Sequence, residues 1–160
     1  EISACLVGSE MCIRDRNNVA VYENWDFGDT RLKGLYCDGA VALDKRLETD
    51  ADKISILSEE LGHHETAVGN IIDLRCESNR KQEYAARMWA YNEVVGLRGI
   101  IDCHNACCHN LFEMAEYLQV SETFLTEALD AYNLKYGAYA EVDNYIIVFE
   151  PSLTVIEKTF

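Results

Sequence analysis

Strand-like and helix-like patterns are segregated along this chain, and that segregation limits the possible folds more than any other feature. Val19-Ala20-Val21-Tyr22 reads as a short strand, while Leu35-Tyr36-Cys37 and Ala40-Val41-Ala42-Leu43 flank the turn signal Asp38-Gly39. Together they predict a small antiparallel sheet. Helical pattern then takes over. Tyr145-Ile146-Ile147-Val148-Phe149 follows the Asp143-Asn144 turn as a buried strand, stopped by Pro151, the only proline. Strands gathered toward the ends with helices between them predict an α+β class.

The helical part divides at recognisable signals. Thr49 or Asp50 can cap a helix in which Ile54, Leu57, Leu61 and His64 share one face, with Glu59, Glu60 and His63 on an adjoining one. Gly69-Asn70 ends that region. A second helix is predicted across Lys81 to Val95, and Gly96 and Gly99 interrupt the pattern before a stretch that includes Cys103 to His109. Leu111 to Leu118 forms the next helix. Ser121 is a good N-cap for the last, which runs through Phe124, Leu125, Ala128, Leu129 and Tyr132.

The first sixteen residues, EISACLVGSEMCIRDR, have no period that leads into this pattern and resemble translated sequencing-adapter read-through. They are read as a non-native or disordered segment, and residues 17–160 as a single domain. The segment holds two arginines against three carboxylates, so the acidic balance belongs to the rest of the chain. A net charge of −14 repels phosphate backbones and anionic membranes, and no basic patch offsets it. Direct nucleic-acid and membrane binding are therefore not expected. No run approaches the length of a membrane span, and no secretory signal stands near the start. Five cysteines remain beyond the segment, an odd number that suits reduced thiols, and the location expected is the cytoplasm.

Chemistry concentrates in Ser58-Glu59-Glu60-Leu61-Gly62-His63-His64-Glu65, which reads as HExxH with Glu59 in place of the first histidine. Residues four apart on a helix share a face, so Glu59 and His63 can both reach one ion, with Glu60 placed to act on a metal-bound water. Taken alone, two glutamates and two histidines also suit the solvated face of an acidic helix. The following helix supplies a third donor in Glu83, which opens the pattern Glu83, Ala86, Trp89, Ala90.

At this point the chain resembles the ImmA/IrrE family of zinc-dependent metallo-endopeptidases. The resemblance runs from about Val19 to Val155 and includes Gly34-Leu35-Tyr36 with its hairpin, the motif helix, the Glu83 helix, Phe112 to Leu118 with Val120-Ser121, and Tyr136-Gly137. It implies a zincin-like fold, with the sheet packed on the motif helix and a helical C-terminal half. It implies that His63 and Glu83 are metal ligands and Glu60 the general base, with Glu59 in the place of the first ligand. It further implies zinc as the cofactor and a helix-turn-helix repressor of a prophage or mobile element as the partner that is cleaved or inactivated. The strand at Ala40 to Leu43 would offer its edge to an extended substrate segment.

Exchanging a neutral histidine for a carboxylate lowers the charge at the ion. Its Lewis acidity falls, and oxygen-rich ligation admits Mn²⁺ or Fe²⁺ more readily. Three outcomes stay open: Glu59 serves as a ligand, His64 or a substrate group substitutes, or the protein is a metal-free, non-catalytic regulator that binds the repressor. Two further motifs read as structure. Cys103, Cys107 and Cys108 lack a distant paired motif and suit small buried hydrophobes. Residues Leu111 to Leu129 have helix-turn-helix spacing, yet carry Glu113, Glu116, Glu122 and Glu127 with no Lys or Arg between Arg98 and Lys135. Packing is their expected role. The aromatic set Trp89, Tyr91, Tyr117, Phe124 and Tyr132 is expected in the core.

Overall fold

The computed structural model describes residues 19–66 and 77–158. Segment 1–16, the helix end expected at Gly69-Asn70, and Cys76 lie outside the described residues. The class is α+β, and by its internal contacts the chain falls into two compact units, one up to Ala90 and one from Tyr91 onward.

In the first unit, β1 (Ala20–Trp25), β2 (Gly34–Cys37) and β3 (Ala40–Asp44) form a sheet in the order β1-β3-β2. The Asp38-Gly39 turn behaves as its chemistry requires. Both residues have positive φ, 47° and 80°, and Cys37 pairs with Ala40 across an antiparallel hairpin. The departure is β1, which runs parallel to β3 with Ala20 opposite Ala40. A parallel partner needs a crossover rather than a tight turn, and here the crossover contains β2 itself. β3 is therefore the central strand, not an edge, and among the described residues the outer strands are β1 and β2. Val41 and Leu43 of β3 are buried where α1 (Asp50–Thr66) packs on β2 and β3.

The α1 helix begins at Thr49, whose hydroxyl accepts from the Asp52 N–H at 3.1 Å and donates to the Asp52 carboxylate at 2.7 Å. Its buried face is formed by Ile54, Leu57 and Leu61, each contributing about 1.5–3 kcal/mol of hydrophobic burial. Ser55, Ser58 and Gly62 are buried with them. His64 does not join that face: it is exposed and stacks on Tyr36. At the end of β3, buried Asp44 takes two bonds from the Arg46 guanidinium at 2.6 and 2.8 Å, while Arg46 Nη2 also holds the carbonyls of Thr30 and Leu32. This clamp fixes the loop that leads into β2.

Helix α2 (Glu77–Val94) begins earlier than its periodicity predicts, and Gly96, at φ 58°, separates it from α3 (Gly96–Asn105). Gly99 does not interrupt anything; it lies within α3. The predicted helical stretch to His109 also stops short, because Cys107 takes a left-handed conformation at φ 60°. Helix α4 (Leu111–Leu118) is capped by Asn110, whose side chain accepts from the Glu113 N–H, and α5 (Glu122–Tyr136) by Ser121, which accepts from the Phe124 N–H at 3.2 Å. Ser121 thus fills the role its sequence position predicts. The strand at Tyr145 has two partners the sequence reading did not supply. β4 (Tyr139–Val142), β5 (Tyr145–Val148) and β6 (Thr154–Glu157) form an antiparallel meander. Ile100, Cys103, Leu125, Ala128, Tyr132 and Ile147 form the buried centre of this unit, where α3 packs on β5 and β6. Of the aromatic set, Tyr91, Phe124 and Tyr132 are buried, while Trp89 and Tyr117 are half-buried.

Candidate functional site

The site is assembled by two glycines that permit close approach. Gly62 of α1 faces Ala86 of α2 so tightly that an added Cβ would lie 2.3 Å from the Ala86 carbonyl oxygen. The obstacle is backbone, so only glycine at position 62 allows that crossing, which explains the glycine in the middle of α1. One residue after this contact stands His63, and its Nε2 lies 3.5 Å from Glu83 Oε2. At Gly34, an added Cβ would meet Ile56 Cγ2 at 2.5 Å and Glu60 Cγ at 2.9 Å. The missing side chain lets Glu60 reach β2, where its Oε2 accepts the Tyr36 N–H at 3.0 Å.

The direction of that amide follows from the hairpin register. Cys37 pairs with Ala40 and Leu35 with Ala42, so Cys37 and Leu35 turn their backbone groups toward β3. Gly34 and Tyr36, between and beside them, point theirs out along the outer edge. Glu60 therefore sits on the edge of the sheet. Burial pushes its carboxyl above the ordinary carboxylate range, and the Glu83 charge adds to this, while the Tyr36 amide and His63 act in the opposite direction.

Glu83 is held from its other side. Arg87, one turn further along α2, donates from Nε to Glu83 Oε1 at 3.0 Å, leaving Oε2 toward His63. The Tyr36 ring stacks on His64 with centroids 4.5 Å apart, and its hydroxyl accepts the Gly39 N–H at 3.0 Å. His63 and Glu83 thus come into contact, with Glu60 near enough to be acted on by both charges and His64 at the margin.

Whether these donors suit a metal ion can be tested on their spacing. Two ligands on one edge of a tetrahedral zinc site stand about 3.3 Å apart, given bond lengths of about 2.0–2.1 Å. The 3.5 Å between His63 Nε2 and Glu83 Oε2 matches that edge, and Arg87 provides the outer hydrogen bond that ligating carboxylates use. Glu59 is half-buried one turn before His63. Among the described residues, no group of three or more His, Cys, Asp or Glu side chains is gathered to hold an ion, so Glu59 is not drawn into a closed set with the other two. The pair fits a metal; the third position is not preformed.

Sequence reasoning missed the Tyr36 amide, the two close-approach glycines and Arg87. Two of these left a signal. The Glu83-Arg87 spacing is that of a helical ion pair, and a mid-helix glycine costs about 1 kcal/mol against alanine, so it asks for a packing reason. The Tyr36 amide left none, since it belongs to the backbone. Of the cysteines expected as small buried hydrophobes, only Cys103 is buried; Cys107, beyond the end of α3, is exposed and Cys108 half-buried. Among the described residues, no helix is long and apolar enough to cross a membrane. In comparison with known proteins, no family model matches the chain, and no curated protein or solved structure does so either.

Proposed function

We propose that this chain is a metal-dependent endopeptidase of the zincin-like kind, acting in the cytoplasm on a helix-turn-helix repressor. The observation that carries the reading is the pairing of His63 Nε2 with Glu83 Oε2 at 3.5 Å, beside a carboxylate, Glu60, whose basicity is raised by burial. His63 and Glu83 would hold the ion, with Glu59 as the third protein donor. Zinc suits the nitrogen and oxygen donors, and the carboxylate-rich set also admits Mn²⁺ or Fe²⁺. When bound, the ion supplies Lewis acidity for amide hydrolysis.

The chain's own residues do the rest. A carboxylate with raised pKa is a better proton acceptor, so Glu60 takes the proton of the attacking water and returns it to the leaving amine. Arg87 keeps Glu83 oriented. The outward groups of Gly34 and the Tyr36 carbonyl offer hydrogen bonds to an extended segment at the β2 edge, the Tyr36 N–H being taken by Glu60, in place of the Ala40 to Leu43 strand, which is central. The repressor as partner rests on the family resemblance, and the acidic surface favours a basic protein over nucleic acid.

A second reading is favoured by Glu59 itself: with a carboxylate where the first histidine belongs, the chain would bind the repressor without cutting it. One experiment separates the two. The protein is produced with a helix-turn-helix repressor encoded beside it, bound metal is measured, and repressor fragments are sought. Fragments that vanish in Glu60→Gln while binding persists establish hydrolysis. Binding with neither metal nor fragments in the unmutated protein establishes the second reading.

A further inference from the structure

The C-terminus of α3 closes in a specific hydrogen-bonded turn. The Cys108 N–H donates to the Cys103 carbonyl at 3.0 Å, and the Cys107 N–H to the His104 carbonyl at 3.0 Å. With Cys107 left-handed at φ 60°, this is a Schellman motif, in which the residues in the places of Cys103 and Cys108 bring their side chains together. Usually two apolar groups meet there. Here the two are thiols, near enough that Cys108 acts on the Cys103 thiol, whose own Sγ–H points to the Met114 carbonyl at 4.0 Å.

We propose that Cys103 and Cys108 are a peroxide-sensitive thiol pair that closes to an intramolecular disulfide across the end of α3. Hydrogen peroxide transfers one oxygen to the half-buried Cys108 sulfur, giving a sulfenic acid and one water. The Cys103 sulfur then attacks the Cys108 sulfur. The new S–S bond forms as the S–O bond breaks, and the hydroxyl leaves with the Cys103 proton as a second water. Two thiols lose two electrons and two protons, and one peroxide becomes two waters.

Exposure sets the order of these steps. Cys103 is buried, and burial, with the nearby Cys108 and Asp102, pushes its thiol up to about 12. It therefore stays protonated, and serves as the slow resolving group rather than the first target. Cys107 is exposed, yet it occupies the left-handed position between the two contacting residues and is the partner of neither. The ring to be closed is already shaped by the 3.0 Å backbone hydrogen bond, so the folded chain pays little entropy to join the sulfurs.

The test treats the full reduced chain with hydrogen peroxide over hours, alkylates the remaining thiols after denaturation, and maps the peptides by mass. The expected product is a peptide two hydrogens lighter, linked between Cys103 and Cys108, and restored by dithiothreitol. Cys107→Ser should form it to the same extent. Cys108→Ser should abolish it and leave Cys103 open to alkylation. A link through Cys107, a link between chains, or a sulfinic acid at Cys108 beside an alkylated Cys103 would overturn the proposal. Circular dichroism of each variant guards against reading an unfolded chain, and the Cys107→Ser result decides the matter even if Cys108→Ser does not fold.

Discussion

The two units of this molecule bury different things. In the first, Asp44, Ser55 and Ser58 lie among the apolar core of β3 and α1, and Glu60 is half-buried beside them. In the second, among the described residues, the buried side chains are apolar apart from the Cys103 thiol, Tyr91, whose hydroxyl donates to Glu127, and Tyr132, whose hydroxyl lies beside the Gly96 backbone without reaching hydrogen-bond geometry. The second unit follows local rules at Asn110 and Ser121, its caps, and in a regular meander, its departures being Gly99 inside α3 and the left-handed Cys107. The first departs from those rules where its chemistry stands: a glycine in mid-helix, a carboxylate drawn onto a sheet edge, a buried aspartate needing an arginine. Such departures are tolerated where a site gains from them.

The sharpest way to break this contrast is Gly62→Val. Helix propensity alone favours replacing glycine, by about 1 kcal/mol for alanine. Overpacking opposes it, at about 1–3 kcal/mol for a core that cannot yield, and the obstacle here is backbone, the Ala86 carbonyl 2.3 Å from the added Cβ. Sterics win. Urea unfolding should report a loss of about 3 kcal/mol for valine, and Gly62→Ala should also be destabilised. An alanine variant as stable as the parent would show that the two helices do not cross this closely.

Asp44 comes next. Its side-chain hydrogen bond to Arg46 lowers the carboxyl from 3.8 to about 2 in the folded chain, against the opposing effect of burial. A depressed pKa contributes stability that is fully present above the unfolded value and is lost as pH falls through the folded one. The Asp44→Asn variant should therefore be less stable than the parent at neutral pH, and the gap should narrow between about pH 4 and pH 2. Urea midpoints at pH 7, 4 and 2.5 measure it. A gap that stays constant over that range would mean that Arg46 does not hold the carboxylate.

Much of the second unit was legible in the sequence, and the reason is that its determinants are local. Ser121 three residues before Phe124 and the Leu111 to Leu118 period are read from neighbours along the chain. The Asp38-Gly39 hairpin in the first unit was legible for the same reason. What stayed hidden depends on distant partners. The parallel alignment of β1 with β3 is chosen by the sheet, β4 and β6 are recruited by β5, and Cys107 ends α3 from a conformation that glycine more often takes. For the site, His63, Glu60 and Glu83 were visible as residue types at spacings, whereas the amide that holds Glu60 carries no side-chain signature.

Helix caps provide a matched pair across the two units. Thr49→Ala and Ser121→Ala each remove a side-chain acceptor from a helix start, and each should cost about 1 kcal/mol in urea unfolding. The contrast between the units predicts different local effects. Fraying of α1 loosens the helix that carries Glu60 and His63, while fraying of α5 leaves the motif helix alone. Hydrogen exchange should rise through the first turns of α1 in one variant and of α5 in the other. Equal loosening of both helices by either variant would erase the distinction.

The smallest expected change in stability is also the most informative about the site. Arg87 is exposed and pairs with a partly exposed Glu83, so Arg87→Ala should change folding stability by no more than about 0.5 kcal/mol. Its effect on a metal would be the sum of two opposed terms. Removing a positive charge about 6 Å from a divalent ion favours binding by about 1.4 kcal/mol in water, and screening at about 0.15 M salt roughly halves that, to about threefold. Losing the bond that turns Glu83 Oε2 toward His63 disfavours binding, and outer hydrogen bonds of this kind are worth about 10–100-fold in affinity. Orientation outweighs charge, so zinc titration should show affinity falling at least several-fold at almost unchanged stability. Affinity that rises instead would mean that Glu83 is not a ligand, because only the electrostatic term would then remain.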